Sequence, residues 1–251
     1  MKKLLYFLLL CIITSSNSFG ANPFDGFINQ ISGVATSVAQ KNLNNFTQDL
    51  GEAIDGGEYH QAQVLGCPGF DVGIQVPVVT VNNNDTIIKA AGISSVAFPL
   101  IQAEIGLPGK IDLIGRVTGY DNASMYGVGL RYGLFKGDMP GVPSLSVQSI
   151  YNSLTVTDNA NKFTATSWST SLVASMGLLI VDPYLGVGYD MTTLVPGSSI
   201  ALPQAGMKGT ANEARIEGGV NLTLFPFTYL KLGAVLVDSQ VGYDAGFGVK
   251  F

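Results

Sequence analysis

Charged side chains make up only 12% of this 251-residue sequence, histidine occurs once and cysteine twice. A single imidazole, His60, excludes metal sites built on several histidines. It also precedes the first strand-like segment, away from any nucleophile it could serve as a base. His60 is therefore expected to be structural or solvated, and no enzyme activity is expected. Cys67 has no partner once the leader carrying Cys11 is removed, which excludes an internal disulfide and a thiolate metal cage. A phosphate loop and a dinucleotide fingerprint are both missing, because Gly127/Gly129, Gly186/Gly188 and Gly246/Gly248 sit inside alternating stretches. No cofactor and no metal are expected on these grounds. The apolar run Leu4–Ile13 is too short to cross a bilayer as a helix.

That run instead marks an export leader. Lys2 and Lys3 form its basic start and Ser18-Phe19-Gly20 offers small residues for cleavage, so residues 1–20 read as a signal peptide. Cys11 follows Leu10, where a lipoprotein processing site needs a small residue. Removing the leader takes the 13 basic residues to 11, against 18 acidic, a net charge of −7. No basic patch for nucleic acid is left. Few charges together with 31 glycines indicate strands and turns rather than a helical protein.

Residues 21–66 carry the one helical pattern. Phe24, Phe27, Ile28, Ile31, Val34, Val38, Leu43, Phe46, Leu50 and Ile54 recur at three- and four-residue steps over Phe24–Glu58. Pro23 suits the start, and Gly56-Gly57 the stop. Such a helix needs an apolar surface. It could plug a barrel, lie on the inner face of a membrane, or pack from the periplasm on a barrel's base, and base packing is the expectation.

Residues 67–251 alternate with a period of two. In the last stretch Val241, Tyr243, Ala245, Phe247, Val249 and Phe251 share one face, opposite Gly242, Asp244, Gly246, Gly248 and Lys250. About ten segments repeat this from Phe70 onwards, each close to the length of a tilted membrane strand. Tyr126, Val128, Leu130 and Tyr132, for example, oppose Gly127, Gly129, Arg131 and Gly133. The weakest lies between Pro143 and Thr155, where Ser146, Gln148 and Ser149 would make a faint lipid face.

A soluble sandwich would alternate in the same way, and two features separate it from a membrane barrel. The face opposite the apolar one is dominated by glycine with a few charges of both signs, which suits a confined, curved interior better than an open surface. Connection lengths also alternate. Counted back from the C-terminus, Asn82–Ser95 and Thr193–Thr210 are long and fall on one side, while Pro108-Gly109, Val181-Asp182 and Phe225-Pro226-Phe227 are tight and fall on the other.

Export leader, alternating strands, loop parity and a terminal phenylalanine together resemble a Gram-negative outer-membrane β-barrel protein. The likeness covers roughly Phe70–Phe251. Leu65-Gly66-Cys67-Pro68-Gly69-Phe70-Asp71-Val72-Gly73 also resembles the start of an uncharacterised exported barrel family, which brings no function with it. The resemblance implies a closed antiparallel barrel of about ten strands, located in the outer membrane and monomeric. It implies outer-membrane lipid, the barrel-assembly machinery and periplasmic chaperones as partners. Tyr243, Phe247, Val249 and Phe251 match the C-terminal assembly signal.

Two sets of residues remain as functional candidates. Arg116, Arg131, Glu213, Arg215, Glu217 and Lys231 lie on the polar face, as a constriction that selects small solutes or as a salt-bridge network filling a narrow lumen. Leu194, Val195, Ile200 and Leu202 make the 193–210 loop unusually apolar, as a lid, a membrane-surface contact or the entrance for an apolar ligand. The expected function is a narrow passive channel, with a structural or binding barrel, or a transporter of a hydrophobic ligand, as the alternative.

Overall fold

The alternating segments pair in sequence order, and the last returns to the first. The computed structural model describes residues 27–28, 30–90, 92–120, 122–137, 139–158, 161–238 and 240–251, so the expected signal peptide lies outside the described residues. The strands are β1 (Gly69–Thr80), β2 (Ser95–Ala97), β3 (Leu100–Leu107), β4 (Ile111–Tyr120), β5 (Ala123–Phe135), β6 (Pro143–Asp158), β7 (Asn161–Met176), β8 (Val181–Pro196), β9 (Gly209–Leu222), β10 (Thr228–Val237) and β11 (Gln240–Lys250). Among the described residues, helices α1 (Thr36–Asp55) and α2 (Thr86–Ala90) precede and interrupt them.

Every pairing is antiparallel, and β11 pairs with β1 through Ile74↔Phe247 and its neighbours, which closes the sheet. At the seam the Phe251 N–H donates to Phe70 O at 2.8 Å and the Phe70 N–H to Phe251 O at 3.0 Å. Because β2 and β3 both pair with β1, they are one strand broken at Phe98-Pro99, and the barrel has ten staves. Closure removes the free edges that an open sheet would present.

Short connections at 108–110, 136–142, 177–180 and 223–227 lie at one end, beside the C-terminus. The segments 81–94 and 197–208 lie at the opposite, loop end. The expected 193–210 loop is shorter, because β8 continues to Pro196 and β9 starts at Gly209. In β6 the facing also differs from expectation: Ser146 and Gln148 are buried towards the lumen, and only Ser149 points outwards. There its hydroxyl bonds Ser169 O at 3.1 Å and the Thr170 hydroxyl at 2.9 Å, so the wall satisfies its polarity.

The start of the expected Phe24–Glu58 helix lies outside the described residues; α1 covers Thr36–Asp55, and it is not on the base. Gly33 adopts φ +77°, which breaks the regular repeat before Thr36, and Gly57 at φ +69° turns the chain beyond Asp55. Helix α1 enters the mouth at the loop end, with Gly51 against Thr192 and Thr47 against Gly209. Residues 58–65 then run down the lumen towards the turn end. Packing on the base is thereby corrected: even strand parity puts the start of β1 at the turn end, but the chain before it doubles back through the barrel to the loop end.

Candidate functional site

Inward side chains on the staves fix the chemistry of the lumen. All six polar-face candidates point inside: Arg116, Arg131, Glu213, Arg215, Glu217 and Lys231 are each at most 5% exposed. Five gather round residues 54–61, and Glu213 sits higher, beside Glu52 and Gln48 of α1.

Arg131 bridges Glu104 and Asp112, the latter at 2.8 Å. Arg215 reaches Glu58 at 2.9 Å, Asp190 at 3.0 Å and Glu217 at 3.6 Å. Lys231 lies 3.1 Å from Glu217 and 2.7 Å from Asp244. Arg116 differs, since its one carboxylate partner is Glu58 at 3.5 Å. Buried charges persist only when paired and hydrogen-bonded in this way.

The arginines and the lysine of this network, with the amides of Gln102, Gln148 and Asn221, hold the backbone that passes between them. Arg116 donates to the carbonyls of Ile54 at 2.8 Å and Gly56 at 2.6 Å, and Arg215 to that of Asp55. Gln102 donates to Glu58 O at 3.1 Å, Lys231 to Tyr59 O at 2.7 Å, and Arg131 to Gln61 O at 3.3 Å. Asn221 reaches His60 O. Almost every peptide oxygen from 54 to 61 is thus satisfied by the wall rather than by water, as buried backbone requires.

Side chains of the same segment complete the fit. Glu58 accepts from Asn152 at 3.1 Å and Ser169 at 2.7 Å, and Asp55 from Asn152 at 3.0 Å. His60 stacks on Tyr229, ring centroids 4.4 Å apart, with Nε2 3.1 Å from Asp71, which also accepts from the Tyr229 hydroxyl at 2.9 Å. Here the imidazole is a packed, hydrogen-bonded part of the plug. Tyr59 lies over the bare backbone of Gly186, where a Cβ would come within 2.5 Å of its ring. Inward glycines left room in the sequence, and the tyrosine rings fill it.

At the loop end the mouth is apolar. Leu194, Ile200 and Met207 pack with Phe27, Leu43 and Phe46, and Leu202 is partly buried against them. Phe27 and Phe163 stack at 5.4 Å. Of the four lid candidates, Leu194 belongs to β8 and faces in, while Ile200 and Leu202 cover the mouth. Val195 is a correction: it points outwards, 42% exposed, because it alternates with Leu194 on the same strand.

Carboxyl groups of α1 at this mouth hold their protons. Burial, and then Asp85, push Asp49 up to about 8. Burial, then Glu213 and Asp49, push Glu52 up to about 9. Sequence reasoning missed Asp55, Glu58, Asp49 and Glu52 as partners of the lumen. The available signal was a helix whose polar face ends in acidic residues, opposite a lumen rich in arginine.

Comparison with known proteins places these features in context. No curated protein sequence matches the chain. Neisserial surface protein A is 12% identical over 72% of this chain and 95% of that one, with a TM-score of 0.34. The KdgM porin is 9% identical over 72% and 99%, with a TM-score of 0.35. Ail, the attachment invasion locus protein of Yersinia pestis, is 8% identical over 73% and 97%, with a TM-score of 0.26. These are outer-membrane β-barrel proteins. Residues 85–236, from α2 almost to the end of β10, match a family profile, and the chain belongs to that family, the family of unknown function DUF6588.

Proposed function

We propose that this protein is a monomeric outer-membrane barrel that works as a narrow small-solute channel gated by its own N-terminal segment. The membrane reading rests on the outer surface. Tyr126, Leu130, Trp168, Val187, Tyr189, Ile216, Tyr243 and Phe247 are each 46–61% exposed around the staves. Water does not tolerate so broad an apolar girdle, and a bilayer requires one. No free edge remains for a second copy to extend, which favours the monomer. Tyr243, Phe247, Val249 and Phe251 line the outer face of β11 as the assembly machinery and its chaperones would read them.

One observation carries the gating reading: the plug is held by hydrogen bonds and ion pairs from a polar wall, so its removal leaves a water-compatible path. The lid residues Ile200 and Leu202 close that path from above. A structural or binding barrel is the second reading, favoured by how fully the plug's carbonyls are satisfied. An apolar-ligand entrance has less support, because Leu194, Ile200 and Leu202 already pack on α1.

Planar-bilayer recording separates these readings. The folded full chain should show brief, small openings, and Arg116→Gln with Arg215→Gln should lengthen them by loosening residues 54–58. Silence from both, with each protein folded, would favour the binding barrel. Steady large currents from the unaltered chain would refute a resident plug.

A further inference from the structure

The passage of the chain through the lumen has a direction. Above the mouth, Ser32 Oγ donates to Ala201 O at 2.7 Å and Gln40 Nε2 to Lys208 O at 2.7 Å, both in the 197–208 loop. Lower contacts then descend β7 in step. Asp55 meets Ser167, Glu58 meets Ser169, and the Ala62 N–H donates to Ser175 Oγ at 2.8 Å. Next the Leu65 N–H reaches Asp112 at 3.1 Å, and Cys67 emerges exposed beside the first residues of β1. The chain therefore runs the height of the barrel from loop end to turn end.

No route outside the wall would produce this arrangement. The β1–β11 seam is hydrogen-bonded from Asp71↔Lys250 to Val78↔Tyr243, and Phe251 seals its lower end. A peptide crossing in lipid would leave its carbonyls without partners, which a bilayer interior does not tolerate. Inside, the wall instead grips main-chain oxygens from the end of α1 at 54 to 61, so the carbonyls that a lipid route would strand are paired.

We infer that the lumen is a polypeptide conduit through which the chain's own N-terminal segment passes outwards, leaving α1 at the cell surface and Cys67 in the periplasm. This rests on the outer-membrane reading with the loop end facing out. The barrel then has a second activity beside solute passage: it carries a segment of itself across the membrane and stores it as the plug.

Thiol labelling of intact Gram-negative cells tests it with the full chain. Ser37→Cys on α1 and Gln204→Cys in the 197–208 loop, each with Cys67→Ser, would be compared with native Cys67, using a membrane-impermeant maleimide. Heat-modifiable gel mobility would first show that each variant is folded. Both introduced thiols should label on intact cells, and the Cys67 signal should be lost unless the outer membrane is permeabilised. Labelled Gln204→Cys with silent Ser37→Cys would leave the barrel's orientation standing and overturn the threading. Silent Gln204→Cys with labelled Cys67 would show that the orientation itself is wrong, and the inference would fall with it.

Discussion

Gly186 and Tyr59 show what single residues decide in this lumen. The Tyr59 ring meets Tyr184 edge-on at 6.1 Å and Arg215 at 5.6 Å, so it has little freedom to retreat. Gly186→Ala would place a methyl carbon within 2.5 Å of that ring. It is expected to destabilise the folded barrel by about 1–3 kcal/mol, as overpacking does. In a chain that already carries Tyr59→Ala the added methyl should cost much less, so the two substitutions are non-additive, and the temperature at which heat-modifiable mobility is lost measures both. Arg215→Met is a harsher change, because Glu58, Asp190 and Glu217 all lose a buried partner. About 3–5 kcal/mol is expected for stranding such charges. Arg116→Met should cost less, since its acceptors are mainly carbonyls. Equal effects of the two would argue against carboxylate pairing as the reason Arg215 is there.

Among the elements, α1 was the one whose pattern was legible and whose place was not. A 3.6-residue period says which face of a helix is buried, never against what. Glu58-Tyr59-His60-Gln61, just beyond Gly56-Gly57, is poorly suited to the base of a barrel and well suited to a charged lumen. Its acidic residues make α1 sensitive to pH. Asp49 and Glu52 are raised to about 8 and about 9 from ordinary carboxyl values of 3.8 and 4.5. The folded state thus binds protons that the detached helix releases. Their stabilising contribution is complete below about pH 4, declines as pH rises, and is gone above about pH 9. Limited trypsin cleavage at exposed Lys41 should therefore be faster at pH 9.5 than at pH 6, and Asp49→Asn with Glu52→Gln should flatten the difference. Strand β11 supplies a second prediction of this kind. Phe251 closes the seam with two backbone hydrogen bonds and stacks on Phe227 at 5.3 Å. Its deletion is expected to lower the fraction of folded barrel recovered from membranes, while refolding in detergent proceeds.

For the whole molecule, a period of two and the spacing of turns were enough to read a ten-stave barrel, because register flips every side chain when it slips. Arg131 and Lys231 could be assigned to the interior from that period alone. Their partners could not, since Glu104, Asp112, Glu217 and Asp244 come from other staves. The same wall predicts how an opened pore would behave. Among the described residues, the staves bury Asp71, Glu104, Asp112, Asp190, Glu213, Glu217 and Asp244 against Arg116, Arg131, Arg215 and Lys231. Carboxylates thus outnumber cations by seven to four. With the plug in place, backbone carbonyls occupy much of the cations' hydrogen-bonding capacity. Once the plug leaves, Arg131, Arg215 and Lys231 keep carboxylate partners on the wall, so the surplus carboxylates face the water that replaces the plug. An excess of fixed negative charge in a narrow pore concentrates cations. Currents through the Arg116→Gln, Arg215→Gln variant should therefore reverse on the cation side in a salt gradient. The preference should weaken in molar salt as the charges are screened. Glu217→Gln with Asp244→Asn should reduce it further, and an anion preference in the loosened pore would contradict this account of the wall.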